Sequence, residues 1–198
     1  MIRKAVVKRK TKETDISLIF NLDGRGKNKI NTSVPFLDHM LDLFSLHGGF
    51  DLQLKGKGDR EIDDHHLVED VGLALGEAIK KALGNKKGIE RYGNFLVPMD
   101  EALSYIVVDI SGRPYLKYNV KFNPDFKWLN KEFNYNLIED FFRALVSRAD
   151  ITLHISLKHG SNNHHISESI FKGLGKALGQ AVNINPKRKS IPSTKGRL

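Results

Sequence analysis

The chain carries one pattern twice, and this repetition limits its fold more than any other feature. The string HHLVE stands at residues 65–69, and HHISE stands at residues 164–168. A segment with helical spacing of apolar residues, followed by strand-like alternation, precedes each string, at residues 34–56 and 135–158. A chain that repeats a unit of this size is expected to fold as two similar halves.

Each repeat predicts the order strand, strand, helix, strand, helix. Strand-like text occurs in the first half as IRKAVVKR, TDISLIFNL and KINTSV, and in the second half as EALSYIVVDI and YLKYNVKF. Asp64 and Asn163 stand directly before the double histidines, where N-cap residues are expected. We therefore predict an α+β fold with an internal duplication, in which each half is a small mixed sheet with helices packed on one face. We expect a single domain made of two similar halves, approximately 1–91 and 92–184, with a basic C-terminal arm, 185–198.

Composition excludes several classes of function. The absence of cysteine excludes disulfides, thiolate zinc sites and cysteine nucleophiles, and it fits a reducing cytoplasm. No apolar run approaches the ~18 residues of a membrane span, and the basic N-terminus lacks the apolar region of a secretory signal. The net charge is +9, but the basic residues are dispersed and no nucleic-acid-binding motif accompanies them. We predict a cytoplasmic protein without membrane or nucleic-acid partners.

The repeated element has the spacing of a metal site. Residues four apart share a helix face, so each glutamate pairs with the first histidine of its string, while the second histidine points elsewhere and reaches towards another metal. The repeat alignment also places His39 opposite Asp140, and both are metal-ligating residue types. The predicted ligands are His39, His65, His66, Glu69, Asp140, His164, His165 and Glu168. Histidine, carboxylate and water ligands suit manganese, iron or cobalt better than a closed tetrahedral zinc site.

Two other functions fit the same residues. A dinuclear metallohydrolase acting on a phosphate ester would use both metals and the basic charge, and it would release inorganic phosphate. A metal-stabilised, nucleic-acid-binding assembly would have structural histidines and a steep salt dependence.

Several motifs together resemble the imidazoleglycerol-phosphate dehydratase family of histidine biosynthesis. They are FLDHMLDLF, DDHHLVEDVGLALGEA, SGRPYL, NNHHISESIFKGLGKAL and PSTKG, and the similarity runs from KTKETD to the end of the chain. The resemblance implies a hydro-lyase that converts imidazole glycerol phosphate to imidazole acetol phosphate, through an imidazolate held between two metal ions. It also implies two Mn²⁺ per active site and a homo-oligomer of 24 subunits, with active sites between subunits.

The resemblance extends to single residues. It supports the eight ligands named above, except that many relatives have a histidine where this chain has Asp140. Glu13, in TKETD, matches a glutamate implicated in proton transfer with the substrate. The residues that match the binding site for the substrate phosphate are Arg91, Arg113, Ser193 and Lys195. Guanidinium, hydroxyl and ammonium groups are the partners that a phosphate dianion requires.

Overall fold

The structure is a computed structural model that describes residues 3–124 and 133–198. Within these residues the same order of elements occurs twice: three strands, a helix, a strand and a helix. The first half contains β1 (Lys4–Lys10), β2 (Thr14–Asn21), β3 (Asn28–Asn31), α1 (Pro35–Gly48), β4 (Asp51–Gly58) and α2 (His65–Leu83). The second half contains β5 (Tyr92–Met99), β6 (Ala102–Asp109), β7 (Tyr115–Asn119), α3 (Leu137–Ala149), β8 (Thr152–His159) and α4 (Asn163–Val182).

The two halves also share one sheet topology. In the described residues the strand order is β1-β2-β4-β3 in one sheet and β5-β6-β8-β7 in the other. In each half the second strand in chain order lies between the first and the fourth and is antiparallel to both. The third strand pairs in parallel with the fourth. This mixed pairing confirms the predicted α+β fold of two duplicated halves.

The core lies on the helix-covered face of each sheet. Strand β2 alternates between buried and exposed residues, with Ile16, Leu18 and Phe20 buried, and β6 alternates in the same way. Helix α2 packs on the first sheet and α4 on the second, while α2 also packs against α3 and α1 against α4. The helices therefore form the middle of the molecule and join the halves. No helix in the described ranges is both long and apolar enough to cross a bilayer.

Two local predictions were wrong. Strand β5 was missed because its text, YGNFLVPM, contains glycine and proline, and the only fully buried position in it is Gly93. The cap of α4 is Asn162, whose side chain accepts from the backbone N–H groups of His164 and His165, whereas Asn163 is already helical. The buried Asn163 side chain instead hydrogen-bonds both the N–H and the carbonyl of Asn123, at 2.8 and 2.9 Å. Asp64 does stand at the N-cap position of α2, but its carboxylate pairs with Arg60.

Glycines let helices from opposite halves approach closely. A Cβ atom on Gly76 of α2 would overlap the carbonyl oxygen of Leu145 in α3. At the equivalent crossing, a Cβ on Gly175 of α4 would lie 2.5 Å from the carbonyl oxygen of Phe44 in α1. Real Cβ atoms do not approach oxygen this closely, so both crossings require glycine.

Gly76→Ala tests the first of these crossings. Alanine is better than glycine in a helix interior by about 1 kcal/mol, but overpacking against Leu145 costs about 1–3 kcal/mol. We therefore expect a net loss in the free energy of unfolding, measured with guanidinium and circular dichroism.

The control for this prediction is Glu77→Ala, at the half-exposed neighbouring position. A surface change of this kind should alter the free energy of unfolding by about 0.5 kcal/mol or less. A Gly76→Ala variant more stable than the parent protein would show that α2 and α3 do not meet this closely.

Candidate functional site

The crossing of α1 and α4 brings together His39, His164 and Glu168, here called the first triad. The Nε2 atoms of His39 and His164 lie 3.1 and 2.8 Å from the same carboxylate oxygen, Oε1 of Glu168. One ligand atom from each residue falls within 4.8 Å of the others. Two imidazoles and one carboxylate converging in this way fit a divalent transition metal with open coordination positions.

The charge of the first triad is set by its buried carboxylate. Burial alone would raise the pKa of Glu168, but hydrogen bonds from Lys172 and from the two imidazoles outweigh it and hold the pKa at about 2. Lys172, one helical turn beyond Glu168, donates to its other oxygen, Oε2, at 2.6 Å. Glu168 is therefore ionised and presents Oε1 to the histidines.

The crossing of α2 and α3 brings together His65, Glu69 and Asp140, here called the second triad. Asp140 Oδ2 lies 3.6 Å from Nδ1 of His65, and Glu69 Oε2 lies 3.9 Å from its Nε2. The arrangement is looser and more exposed than the first triad, but it uses the equivalent positions. Each triad thus takes one residue from the other half of the chain.

The second histidine of each string points away from its triad, as the helix geometry predicts. His66 Nδ1 lies 3.0 Å from Oδ2 of Asp59, in the connection between β4 and α2. His165 Nδ1 lies 2.7 Å from Oε2 of Glu101, in the turn between β5 and β6. Both carboxylates were missed by sequence reasoning, since each comes from a loop outside the helix that carries its histidine.

Glu13 lies in the β1–β2 turn, near His66. Its backbone carbonyl accepts from the N–H of Asp59 at 3.1 Å, and its exposed carboxylate contributes to raising the pKa of His66, although Asp59 is the main cause. Within residues 3–124 and 133–198, the Glu13 side chain makes no hydrogen bond. Position and exposure leave its carboxylate available to a ligand at this end of α2.

The C-terminal arm is packed along the second half. Arg91 donates to both carboxylate oxygens of Asp109, at 2.7 and 3.2 Å, and to the carbonyl of Pro192 at 2.9 Å. Arg91 also holds a left-handed backbone, with φ at 77°, and such strain concentrates at functional sites. These contacts place Ser193, the next residue of the arm, beside Arg91.

The end of the arm returns to the loop that carries Arg113. A Cβ on Gly112 would lie 2.5 Å from the carbonyl carbon of Leu198. Between Arg91 and Gly112 the arm turns at Ser193, whose hydroxyl accepts from the N–H of Lys195 at 3.2 Å. The structure therefore gathers the segments of all four predicted phosphate-binding residues along one path, and Lys195 and Arg113 are exposed there.

Lys172 is a further charged residue that sequence reasoning missed. Its signal was present in the sequence, because it follows Glu168 by four residues and so continues the same helix face. The repeat offers no counterpart, since the equivalent position in α2 is Leu73.

Asp109→Ala should release the arm. Without its bidentate partner, the Arg91 guanidinium no longer has a fixed position from which to hold the Pro192 carbonyl. We expect faster cleavage by trypsin within residues 185–198, and mass spectrometry of the fragments measures the rate. Asp15→Ala, which removes an exposed partner of Lys10, is the control. Equal cleavage rates in the two variants would mean that the arm is held by other contacts.

Comparisons with known proteins agree on one family. The family model described as imidazoleglycerol-phosphate dehydratase, a hydro-lyase, matches residues 32–178. The chain is 54% identical to the protein of that name from Endomicrobium trichonymphae, over 99% of this chain and 98% of the relative. It is 51% identical to the one from Syntrophus aciditrophicus over 100% of both chains.

Solved structures agree with the sequence comparisons. The crystal structure of imidazoleglycerol-phosphate dehydratase from Staphylococcus aureus superposes with a TM-score of 0.81 at 40% identity, covering 92% of this chain and 99% of that chain. The structure from Pyrococcus furiosus gives a TM-score of 0.82 at 38% identity, covering 97% and 100%. The chain is therefore a hydro-lyase and belongs to the imidazoleglycerol-phosphate dehydratase family.

Proposed function

We propose that this enzyme removes water from imidazole glycerol phosphate to give imidazole acetol phosphate, in histidine biosynthesis, and that it requires manganese. The observation that carries the metal dependence is the convergence of two imidazole nitrogens on one carboxylate oxygen in the first triad. Family membership supports the substrate, because the relatives carry the name of this activity. The enzyme is proposed to act in the cytoplasm.

Two metal positions are proposed, each held by one triad. The first triad offers two imidazoles and one carboxylate, and the second offers one imidazole and two carboxylates. Manganese held by the two triads would supply Lewis acidity that stabilises negative charge on the substrate's imidazole ring, the basis of the proposed imidazolate. The carboxylate of Asp140 is a proposed ligand, since it takes the place in α3 that His39 takes in α1.

His66 and His165 support a site formed between copies of the chain. Each triad offers three ligands, whereas these histidines turn away from the triads of their own chain. We propose that they complete the sites of neighbouring subunits in a homo-oligomer of 24 subunits. A metal position shared between subunits would couple metal binding to assembly of the oligomer, because neither copy of the chain alone holds the full set of proposed ligands.

The remaining residues bind and orient the substrate. Arg91, Arg113, Ser193 and Lys195 are proposed to hold the phosphate, which fixes the reacting carbons relative to the imidazole site. Glu13, with its exposed carboxylate near His66, is proposed to move the proton between substrate carbon and oxygen as the C–H bond breaks and the hydroxyl leaves as water. The enol product then rearranges to the ketone.

Turnover of imidazole glycerol phosphate tests this function directly. Protein treated with a chelator should be inactive, and adding Mn²⁺ should restore formation of the ketone. The absorbance of the ketone measures the rate. Inorganic phosphate, measured in the same reactions, should not appear. Phosphate release without ketone would instead indicate the metallohydrolase. Full activity in metal-free protein at pH 7.5 would exclude the metal requirement.

Asp140 provides a separate test of the second metal position. Asp140→Ala removes a proposed ligand, so we expect loss of one Mn²⁺ per subunit, measured by equilibrium dialysis. Asp140→His restores a ligand-type side chain at the same place and should retain both ions. Two tightly bound ions in Asp140→Ala would show that Asp140 is not a ligand.

A further inference from the structure

We infer that Glu101 and Asp59 are positioning residues. They hold His165 and His66 in the one imidazole tautomer whose Nε2 lone pair can bind a metal. This inference rests on the proposed function, in which both histidines bind metal. Both carboxylates lie outside the triads, and each faces Nδ1 of its imidazole ring.

The two carboxylate contacts determine which ring nitrogen carries the proton. An ionised carboxylate only accepts hydrogen bonds, so the Nδ1 atom that faces it must carry the proton. The contacts are short, 2.7 Å for His165 with Glu101 and 3.0 Å for His66 with Asp59. In the neutral imidazole, Nε2 is then left with its lone pair, which is the form that binds a metal.

The Nε2 atoms of both histidines remain without a hydrogen-bond partner in the described residues. His66 and His165 are partly exposed, with side-chain exposures of 34% and 25%. In the described residues the nearest charged group to Nε2 of His165 is the Asp100 carboxylate, 3.9 Å away and beyond hydrogen-bonding distance. Within the described residues, neither of these Nε2 atoms has a hydrogen-bond partner, whereas those of the triads face Glu168 or Glu69.

Different segments of the two halves supply the carboxylate that contacts the second histidine. In the second half the carboxylate comes from the β5–β6 turn, and in the first half it comes from the β4–α2 connection. The β1–β2 turn, which is equivalent to the β5–β6 turn, carries Glu13, and this glutamate does not contact the His66 ring. Because Asp59 fills that place, the Glu13 carboxylate remains available for the substrate.

Glu101 divides its two oxygens between two tasks. Oε1 accepts from the backbone N–H groups of Ser161 and Asn162, at 3.1 and 2.7 Å, which holds the loop before α4. Oε2 accepts from His165. A glutamine at this position keeps its carbonyl oxygen for the loop and presents its NH₂ group to Nδ1. His165 would then have to carry its proton on Nε2, which blocks metal binding at that atom.

Glu101→Gln therefore separates positioning of the histidine from support of the loop. We expect Mn²⁺ affinity at one of the two positions to fall about 10–100-fold, the range for removal of a carboxylate partner of a metal-binding histidine. Titration with MnCl₂, followed by the electron paramagnetic resonance of free Mn²⁺, measures this change. The melting temperature of chelated protein should stay unchanged, because the loop contacts persist. Asp59→Ala should weaken Mn²⁺ binding by a similar factor.

Two further variants make the test specific. Glu77→Gln, on α2 and paired with Lys81, is the matched control and should bind Mn²⁺ like the parent protein. In a His165→Ala background, Glu101→Gln should cause no additional loss, because Glu101 acts through that ring. Additional loss there, or parental affinity in both Glu101→Gln and Asp59→Ala, would overturn the inference.

Failure of the proposed function gives a different result. If the parent protein binds no Mn²⁺ in the same titration, the metal requirement itself is wrong and the inference falls with it. If the parent protein binds Mn²⁺ and turns over imidazole glycerol phosphate while both variants bind equally well, only the role of the two carboxylates is excluded.

Discussion

The arrangement of the molecule depends on close contact between helices from opposite halves. Gly76 and Gly175 allow backbone to approach backbone at the α2–α3 and α1–α4 crossings. A glycine interface of this kind fixes the helix separation more tightly than an interface of long side chains, because no side chain lies between the two backbones that could change its conformation. His39 meets Glu168, and Asp140 meets His65, only because these helices are held at that distance.

The two triads occupy equivalent positions in the duplicated halves, so the differences between their residues are informative. The first triad has two imidazoles, and its carboxylate is paired with Lys172. The second has two carboxylates and, at the position equivalent to Lys172, the apolar Leu73. The second triad therefore carries more negative charge. The metal position proposed at the second triad should therefore favour harder, oxygen-preferring cations, and the one proposed at the first triad should favour cations with a stronger preference for nitrogen.

Much of the fold could be predicted from sequence because it follows short-range periodicity. The α+β class, the duplication and the separation of the two adjacent histidines onto different helix faces all depend on residues close together in the chain. Strand β5 could not be found in this way, since its only fully buried position is a glycine and carries no apolar signal. The cap at Asn162 was missed by one residue, because either neighbouring asparagine fits the same pattern.

The candidate site was less accessible for a different reason. Pairing His39 with Glu168, or His165 with Glu101, requires the packing of segments far apart in the chain, and no local pattern contains that information. The spacing within each string did predict that His164 and Glu168 lie together. Residues for the phosphate could be named only through resemblance, because an arm such as 185–198 has no periodicity from which to infer that it is bound along Arg91.

The exchange of residues between triads bears on how such a chain could arise. A single half, with one HHxxE string and one α1-type helix, contains all three positions that a triad uses but cannot assemble either triad by itself. Two copies of that half would have to associate, and each would lend its helix to the other. Joining the copies into one chain makes that association intramolecular. It also frees the two triads to mutate independently. Histidine at position 39 and aspartate at the equivalent position 140 are the kind of divergence that an identical pair of subunits could never acquire.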